Sequence, residues 1–266
     1  MIKNFIDAGH GGKDSGAIGL NNIYESHIVL DICRKIDAYM KPSEIENHMS
    51  RSTDKYLTLN ERTNKSNKLC ANTQVSVHCN SATNPDGKGL EIFYMSSSGK
   101  RLARCILDEL KKDGLYTKLR GDGGLKTANH HMNREAKATS CLIELGFITN
   151  SQDYKLITEN KDRFAKAIAK GICKYHGVSF NYESVFISQS TSLIKYKNGN
   201  YNRKARTTAN LNIRMERSTS SKIIKTLPKG TILEVNYCLD NWFSTYDYKY
   251  NNKPCYVFGD YIELRK

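Results

Sequence analysis

No stretch of this chain approaches the roughly 18–20 consecutive apolar residues that a membrane-spanning helix needs, which excludes stable insertion by such a helix. The opening run "MIKNFIDAG" has one lysine and too short an apolar core for a secretion signal, so the expectation is a chain made in the cytoplasm without a signal peptide. No two of the eight cysteines (33, 70, 79, 105, 141, 173, 238 and 255) are spaced C-x-x-C, which argues against a thiolate-held zinc. Buried reduced thiols are the expectation, because free cysteine packs as a small hydrophobe. The phosphate-cradling pattern G-x-x-x-x-G-K-[ST] is missing, and so is the dinucleotide pattern G-x-G-x-x-G. Internal repeats and low-complexity tracts are also missing. Acidic residues are few beside basic ones, 27 against 41, for a net charge of +14.

That charge is unevenly spread. Residues 1–180 hold 27 basic and 20 acidic side chains and residues 181–266 hold 14 and 7, so the shorter part is about twice as densely basic. Such a balance favours a polyanionic partner: nucleic acid, an anionic membrane or an acidic cell wall.

Residues 1–177 alternate between strand and helix patterns. "IKNFIDAG", "EIENHMSRS", "TQVSVHCNS", "GLEIFYMS" and "TSCLIELGF" read as strands. "ESHIVLDICRKIDAYMK" repeats apolar residues every four positions from Ile28 to Met40, the mark of an amphipathic helix. Further helices are expected over 58–70, over "GKRLARCILDELKKDG" and over "NKDRFAKAIAKGICKYHG". This order implies an α/β layered domain, a mostly parallel mixed sheet flanked by helices. After Gly177 the texture turns polar and irregular, a linker with room for a strand or two, and from about Arg206 it becomes short strands and turns, the pattern of a small β-barrel. The expected organisation is a catalytic domain over 1–178, a linker over 179–205 and a small C-terminal domain over 206–266.

The stretch "IDAGHGGKDSGAIGL" (6–20) sets a histidine among glycines just after the first strand. The glycines either cradle a phosphate or let the backbone turn so that His10 projects at the strand end. Three more residues fall on the same rim. Glu25 opens the first helix, His78 ends "TQVSVH", and Glu144 sits near the end of "SCLIE". Open α/β sheets bind ligands outside the carboxyl ends of their strands. Two imidazoles and a carboxylate make a catalytic zinc set with a free coordination position, and one more carboxylate serves as general base. Each residue also has a plainer reading. Glu25 is then a first-turn acid favoured by the helix dipole. Glu144, among Cys141, Leu142, Ile143, Leu145 and Phe147, is then half of a buried ion pair, since an unpartnered buried carboxylate is costly. His130 and His131 either touch substrate or form a solvated loop pair. Cys79 faces away from His78 by strand alternation.

The motifs "DAGHGGKDSGAIG", "YESHI", "SRSTDKYLTLNERTNKSN", "VSVHCNS" and "LIELGFITN" resemble, in order and spacing over about residues 2–176, the zinc-dependent N-acetylmuramoyl-L-alanine amidases of the type-3 family. The resemblance implies one Zn2+ ion held by His10, Glu25 and His78, with Glu144 as the catalytic glutamate. It places Ser50, Arg51, Asp54, Leu59 and Arg62 in a mainly structural motif and gives Asn80 a supporting or substrate-orienting role. The segment "MNREAKAT" lacks the proline the family carries before its last strand, so departures are expected in the groove. "ANLNIRMERSTSSKIIKTLPKGTILEV" and the tail "NWFSTYDY…KPCYVFGDYIEL" resemble the bacterial SH3-like wall-binding domain. Trp242 and Phe243 are expected in its core or rim. Together the resemblances imply a phage-type endolysin or a cell's own autolysin, and the missing signal peptide favours the endolysin, acting on the peptidoglycan of a Gram-positive-type wall after release and also meeting anionic wall polymers but not nucleic acid. The rival readings are a cysteine-dependent wall peptidase using Cys79 or another thiol, and a non-enzymatic basic wall- or nucleic-acid-binding protein.

Overall fold

The computed structural model describes residues 1–181, 196–217, 221–239 and 241–265. The chain forms two compact units, Met1–Tyr182 and Glu183–Lys266. In the first, strands β1 (Ile2–Ala8), β2 (Ile45–Met49), β3 (Thr73–Asn80), β4 (Glu91–Tyr94), β5 (Leu125–Thr127) and β6 (Thr139–Phe147) make one sheet in the order β2-β1-β3-β6-β4-β5. Only the β4–β6 pairing is antiparallel. The sheet is therefore mixed and mostly parallel, as the alternating pattern predicts.

Strand alternation gives the sheet two unlike faces. Ile6, Ala8, Val75, Val77, Cys79, Cys141, Ile143 and Leu145 belong to a single apolar core. That core is completed by three helices: α1 (Glu25–Met40), α3 (Ser97–Lys112) and α6 (Lys161–His176). The residues between them, Asp7, Gln74, Ser76, His78 and Glu144, point to the opposite face. There they meet α2 (Leu59–Leu69) and the one-turn α4 (His131–Arg134): Arg62 of α2 pairs with Asp7 at 2.8 Å, and the Gln74 amide donates to the Met132 carbonyl at 2.6 Å. Part of this polar strand face is thus tied to the helices that cover it, and His78 and Glu144 stand at its carboxyl end.

Local sequence sets the helix starts. Thr58 and Glu61 form a reciprocal capping box at α2, an arrangement worth about 1 kcal/mol. Asn150 caps α5 (Ser151–Glu159) by accepting from the Gln152 and Asp153 amides. Helix α5 and the short β5 and α4 lie beyond the elements expected from sequence.

The second unit is a seven-stranded antiparallel sheet. Its strands are β7 (Gly199–Thr207), β8 (Leu211–Arg214), β9 (Ile223–Leu227), β10 (Ile232–Leu239), β11 (Trp242–Tyr250), β12 (Lys253–Phe258) and β13 (Ile262–Leu264), in the order β13-β7-β10-β11-β12-β8-β9. The expected linker over 179–205 needs correction at its end, because residues 199–205 belong to β7 and pair with β10. The sequence allows a strand or two in this stretch but does not place it, because "GNYNRKART" buries only Ala205 and Thr207. Residues 182–195 of that expected linker lie outside the described residues. Trp242 and Phe243 are both buried, and Tyr196 and Tyr201 stand edge-on to Phe243 at 5.0 Å. Asn251 and Asn252 turn β11 into β12 with φ of 49° and 60°, the left-handed values a tight hairpin needs.

Candidate metal centre

The rim at the carboxyl ends of β1 and β3 is built by the His10 loop. His10 itself takes a left-handed backbone, φ 57°. The motif residues downstream hold this loop by its carbonyls. Arg51 donates to the carbonyls of Ala8 and Gly9 at 3.0 and 2.7 Å, and Arg62 to those of Ala8 and His10 at 2.6 Å each. The Ser50 hydroxyl accepts from the Ala8 amide, and the Asp54 carboxylate accepts from the Gly12 amide. The structural reading of this motif thus has a definite target, the backbone on either side of His10. Leu59 departs from it: the side chain is half exposed and borders a cavity beside His10.

A phosphate cradle does not fit the loop. The amides of Gly9, Gly11, Gly12 and Gly16 are already given to Val77, Asp14, Asp54 and Asp14. The glycines serve close approach instead. A Cβ on Gly9 would lie 2.3 Å from His78 Cε1, and one on Gly16 would lie 2.6 Å from both Glu25 Oε2 and the His10 ring. Side chains at these positions would occupy the space in which the two imidazoles and the carboxylate meet.

His10 Nε2 lies 3.2 Å from Glu25 Oε2, and His78 Nδ1 lies 3.1 Å from Glu25 Oε1. One ligand atom from each of the three residues falls within 4.8 Å of the others. Glu25 is buried at the first turn of α1, and its two oxygens also accept from the backbone amides of Ala17 and Cys79, at 2.9 Å each. Asp14 accepts from His10 Nδ1 at 2.9 Å, which leaves Nε2 facing the centre and fixes the ring, the outer-sphere support common to metal-binding histidines. Two nitrogens and an oxygen on converging, orientated side chains are a donor set that suits Zn2+.

The charges agree with this geometry. Burial opposes protonation of His10, but the hydrogen bonds and charges of Glu25 and Asp14 overcome it and lift the imidazole to about 9. Burial likewise disfavours the Glu25 anion, yet the two imidazoles hold that carboxyl well below its usual range. His78 is raised, against burial, by Glu25 and by the charge of Glu144. Glu25 thus opposes the effect of burial on both imidazoles at once.

Glu144 sits beside the trio. It is the register partner of His78 on the neighbouring strand. Its Oε2 is buried with no hydrogen-bond partner among the described residues. Burial, helped by the charges of Glu25 and Glu91, raises its carboxyl to about 7. The ion-pair reading of Glu144 fails here, because the cations go to Glu91 instead. Glu91 is the register partner of Glu144 on β4 and is only 2% exposed. It faces Arg120 at 3.3 Å and Lys126 at 3.4 Å, and accepts from Asn80 at 2.9 Å. The sequence alone does not single out Glu91 or Asp14, although Asp14 stands in the His10 motif and Glu91 in the strand pattern "GLEIFYMS"; the polar face of Glu91 follows only from the antiparallel register of β4. His130 stands edge-on to Phe93 at 4.7 Å and His131 contacts Thr63 at 3.4 Å, and both are half-buried. Cys79 packs into the apolar core, and burial pushes its thiol far up.

Comparison with known proteins agrees with the geometry. Residues 5–174 match the family described as N-acetylmuramoyl-L-alanine amidase. The amidase LytC of Bacillus subtilis is 35% identical over 178 residues, which is 65% of this chain but 35% of that protein. An endolysin of Bacillus phage SPP1 is 34% identical over 177 residues, covering 63% of this chain and 62% of the phage protein. The chain therefore spans about a third of LytC and somewhat under two thirds of the endolysin. Among solved structures, the catalytic domain of the amidase CwlV from Paenibacillus polymyxa superposes with a TM-score of 0.63 at 32% identity, over 67% of this chain and all of that one. An amidase from Clostridium difficile 630 gives 0.61 at 29% identity, over 66% and 97%. By fold, rim geometry and sequence, the chain belongs to the N-acetylmuramoyl-L-alanine amidase family.

Proposed function

We propose that this protein hydrolyses the amide between the lactyl group of N-acetylmuramic acid and L-alanine in peptidoglycan, as an endolysin-type enzyme, with one Zn2+ held by His10, Glu25 and His78. The observation that carries this reading is the convergence of those three side chains beside a buried, unpartnered Glu144 oxygen. Zinc bound by such a set supplies Lewis acidity, which polarises a carbonyl and acidifies water.

The chain's own residues do the rest. Asp14 keeps the His10 ring turned with Nε2 inward, and the Ala17 and Cys79 amides keep the Glu25 carboxylate facing both imidazoles. Glu144, poised near neutrality, takes a proton at Oε2 from the attacking water. It then delivers that proton to the amide nitrogen as the carbon–nitrogen bond breaks. The products are the muramic carboxylate and a free alanine amine. A group that must accept and then donate one proton near pH 7 works best with a pKa close to that pH.

The C-terminal unit is read as an SH3-like wall-binding module, supported by its antiparallel sheet, its buried Trp242 and Phe243, and its basic charge. Purified walls of a Gram-positive type, treated with the enzyme and analysed by mass spectrometry, should show a new free L-alanine amino terminus. Chelation should abolish the reaction and added Zn2+ should restore it. Cleavage inside the peptide, or activity lost to thiol alkylation but kept under chelation, would overturn the reading in favour of the cysteine peptidase.

A further inference from the structure

The proposed proton route implies one direction for a substrate across the rim. His10 and His78 belong to β1 and β3, Glu144 to β6, and Glu91 to β4. Glu144 serves the departing nitrogen, so the peptide leaves on the β6–β4–β5 side. The acyl sugar then lies on the opposite side, where Tyr56, Leu57 and Leu59 border a cavity of about 100 Å³ against His10. This assignment of sides rests on the amidase reading.

On the peptide side the rim carries a built cationic patch. Buried Glu91 holds Arg120 with one oxygen and Lys126 with the other. Aromatic rings support both cations, Phe147 under the Arg120 guanidinium at 4.9 Å and Phe93 under the Lys126 ammonium at 5.5 Å. Arg120 is also held by the Lys88 carbonyl at 3.4 Å. One anion faces two cations, so the trio keeps an unspent positive charge. That charge reaches the surface, since the Arg120 and Lys126 side chains are 34% and 48% exposed.

The distances suit one group in particular. Adjacent strands lie about 4.8 Å apart, so the cations on Glu91 sit one strand spacing, plus side-chain reach, beyond Glu144. A carboxylate on the residue after the scissile alanine sits about two extended residues, roughly 7 Å, from the scissile nitrogen. We propose that Arg120 and Lys126, positioned by Glu91, bind the α-carboxylate of the second peptide residue and so select peptides that leave that group free rather than amidated.

The test uses the full chain loaded with Zn2+ and two synthetic substrates, N-acetylmuramoyl-L-alanyl-D-glutamate with a free α-carboxylate and the same compound with an α-carboxamide. The native enzyme should favour the carboxylate by about tenfold in kcat/KM, chiefly through KM. In Arg120→Gln/Lys126→Gln that ratio should fall to about 1, with zinc content and thermal midpoint retained. Glu91→Gln should also lower the ratio, because the cations lose their anchor. Lys112→Ala, at the end of α3, should leave the ratio unchanged and so exclude a general charge effect. A native ratio near 1, or one that survives the double substitution, would overturn the proposal. Failure of the native enzyme to cut either compound would instead remove the amidase reading, and this inference with it.

Discussion

Glu25 contacts both imidazoles and Glu144 is the register partner of one of them, yet their surroundings drive the two carboxyls apart. Glu25 has two backbone amides and two imidazoles to satisfy it, and stays ionised. Glu144 has a buried oxygen with no partner among the described residues, and burial pushes its carboxyl up to about 7. Such divergence separates a ligand from a proton carrier. Glu144→Gln should therefore keep about one zinc per chain by elemental analysis while kcat falls on the order of 10²–10⁴-fold. His10→Ala and His78→Ala should lower the zinc content itself. Asp14→Ala, which removes only the support behind His10, should weaken zinc affinity about 10- to 100-fold. The pH dependence has a defined sign. His10 in the metal-free protein is raised from 6.5 to about 9, so its partnership with Glu25 and Asp14 stabilises the folded chain fully below pH 6.5. That contribution is lost as pH rises through about 9. Zinc needs both rings deprotonated, so its affinity should climb at least about tenfold per pH unit below about 9 and flatten once both have lost their protons. Chelator-competition titrations between pH 6 and 10 read this directly, and a flat profile would contradict the Glu25–His10 coupling.

Helices α3 and α6 show how much an element's position depends on one missing side chain. Gly171 of α6 lies against α3 so closely that a Cβ there would stand 2.4 Å from Ile106 Cα. The obstacle is backbone, so no rotamer can relieve it and the helices must part. Overpacking of this kind costs about 1–3 kcal/mol, and Gly171→Ala should lower the thermal midpoint by roughly 2–4 °C for each of those kcal/mol. An unchanged midpoint would mean that the two helices are not in this contact. The same elements show what could be read in advance. The stripe from Ile28 to Met40 and the apolar strands at 73–80 and 139–147 are long enough to show their period, and the rim residues follow from where those elements end. A three-residue β5 and a one-turn α4 hold no period to detect. The reversed direction of β4 is set by pairing with β6, so the row His78–Glu144–Glu91 exists only once the chain is folded. Strand β7 hides for a different reason, since most of its residues face solvent.

At the scale of the molecule, two units with different textures share one basic chain. The first carries the reaction rim, and the second holds a disproportionate share of the +14 net charge. Several of its cations lie over tyrosine rings, with Arg217 on Tyr256 at 4.7 Å, Lys222 on Tyr250 at 5.1 Å and Lys225 on Tyr248 at 5.3 Å. Cations held against rings in this way stay near the surface and available to a polyanion. If this unit anchors the enzyme to the wall, it acts by concentration and not by chemistry. Tethering a weak binder to a catalytic unit can raise overall avidity by about 10²–10⁴ without a new contact at the rim. A chain ending at residue 181 should then cut a soluble N-acetylmuramoyl-L-alanine substrate at the rate of the full chain. It should sediment with purified walls at least about tenfold less. The difference should also shrink with salt, because exposed charges beyond about 8–10 Å are screened at 0.1–0.15 M and more strongly above that. Wall retention measured from 50 to 500 mM salt separates the two contributions. Loss that tracks salt assigns anchoring to the cationic surface, salt-independent retention by the full chain assigns it to a shaped pocket, and equal retention by the shortened chain denies the C-terminal unit any anchoring role.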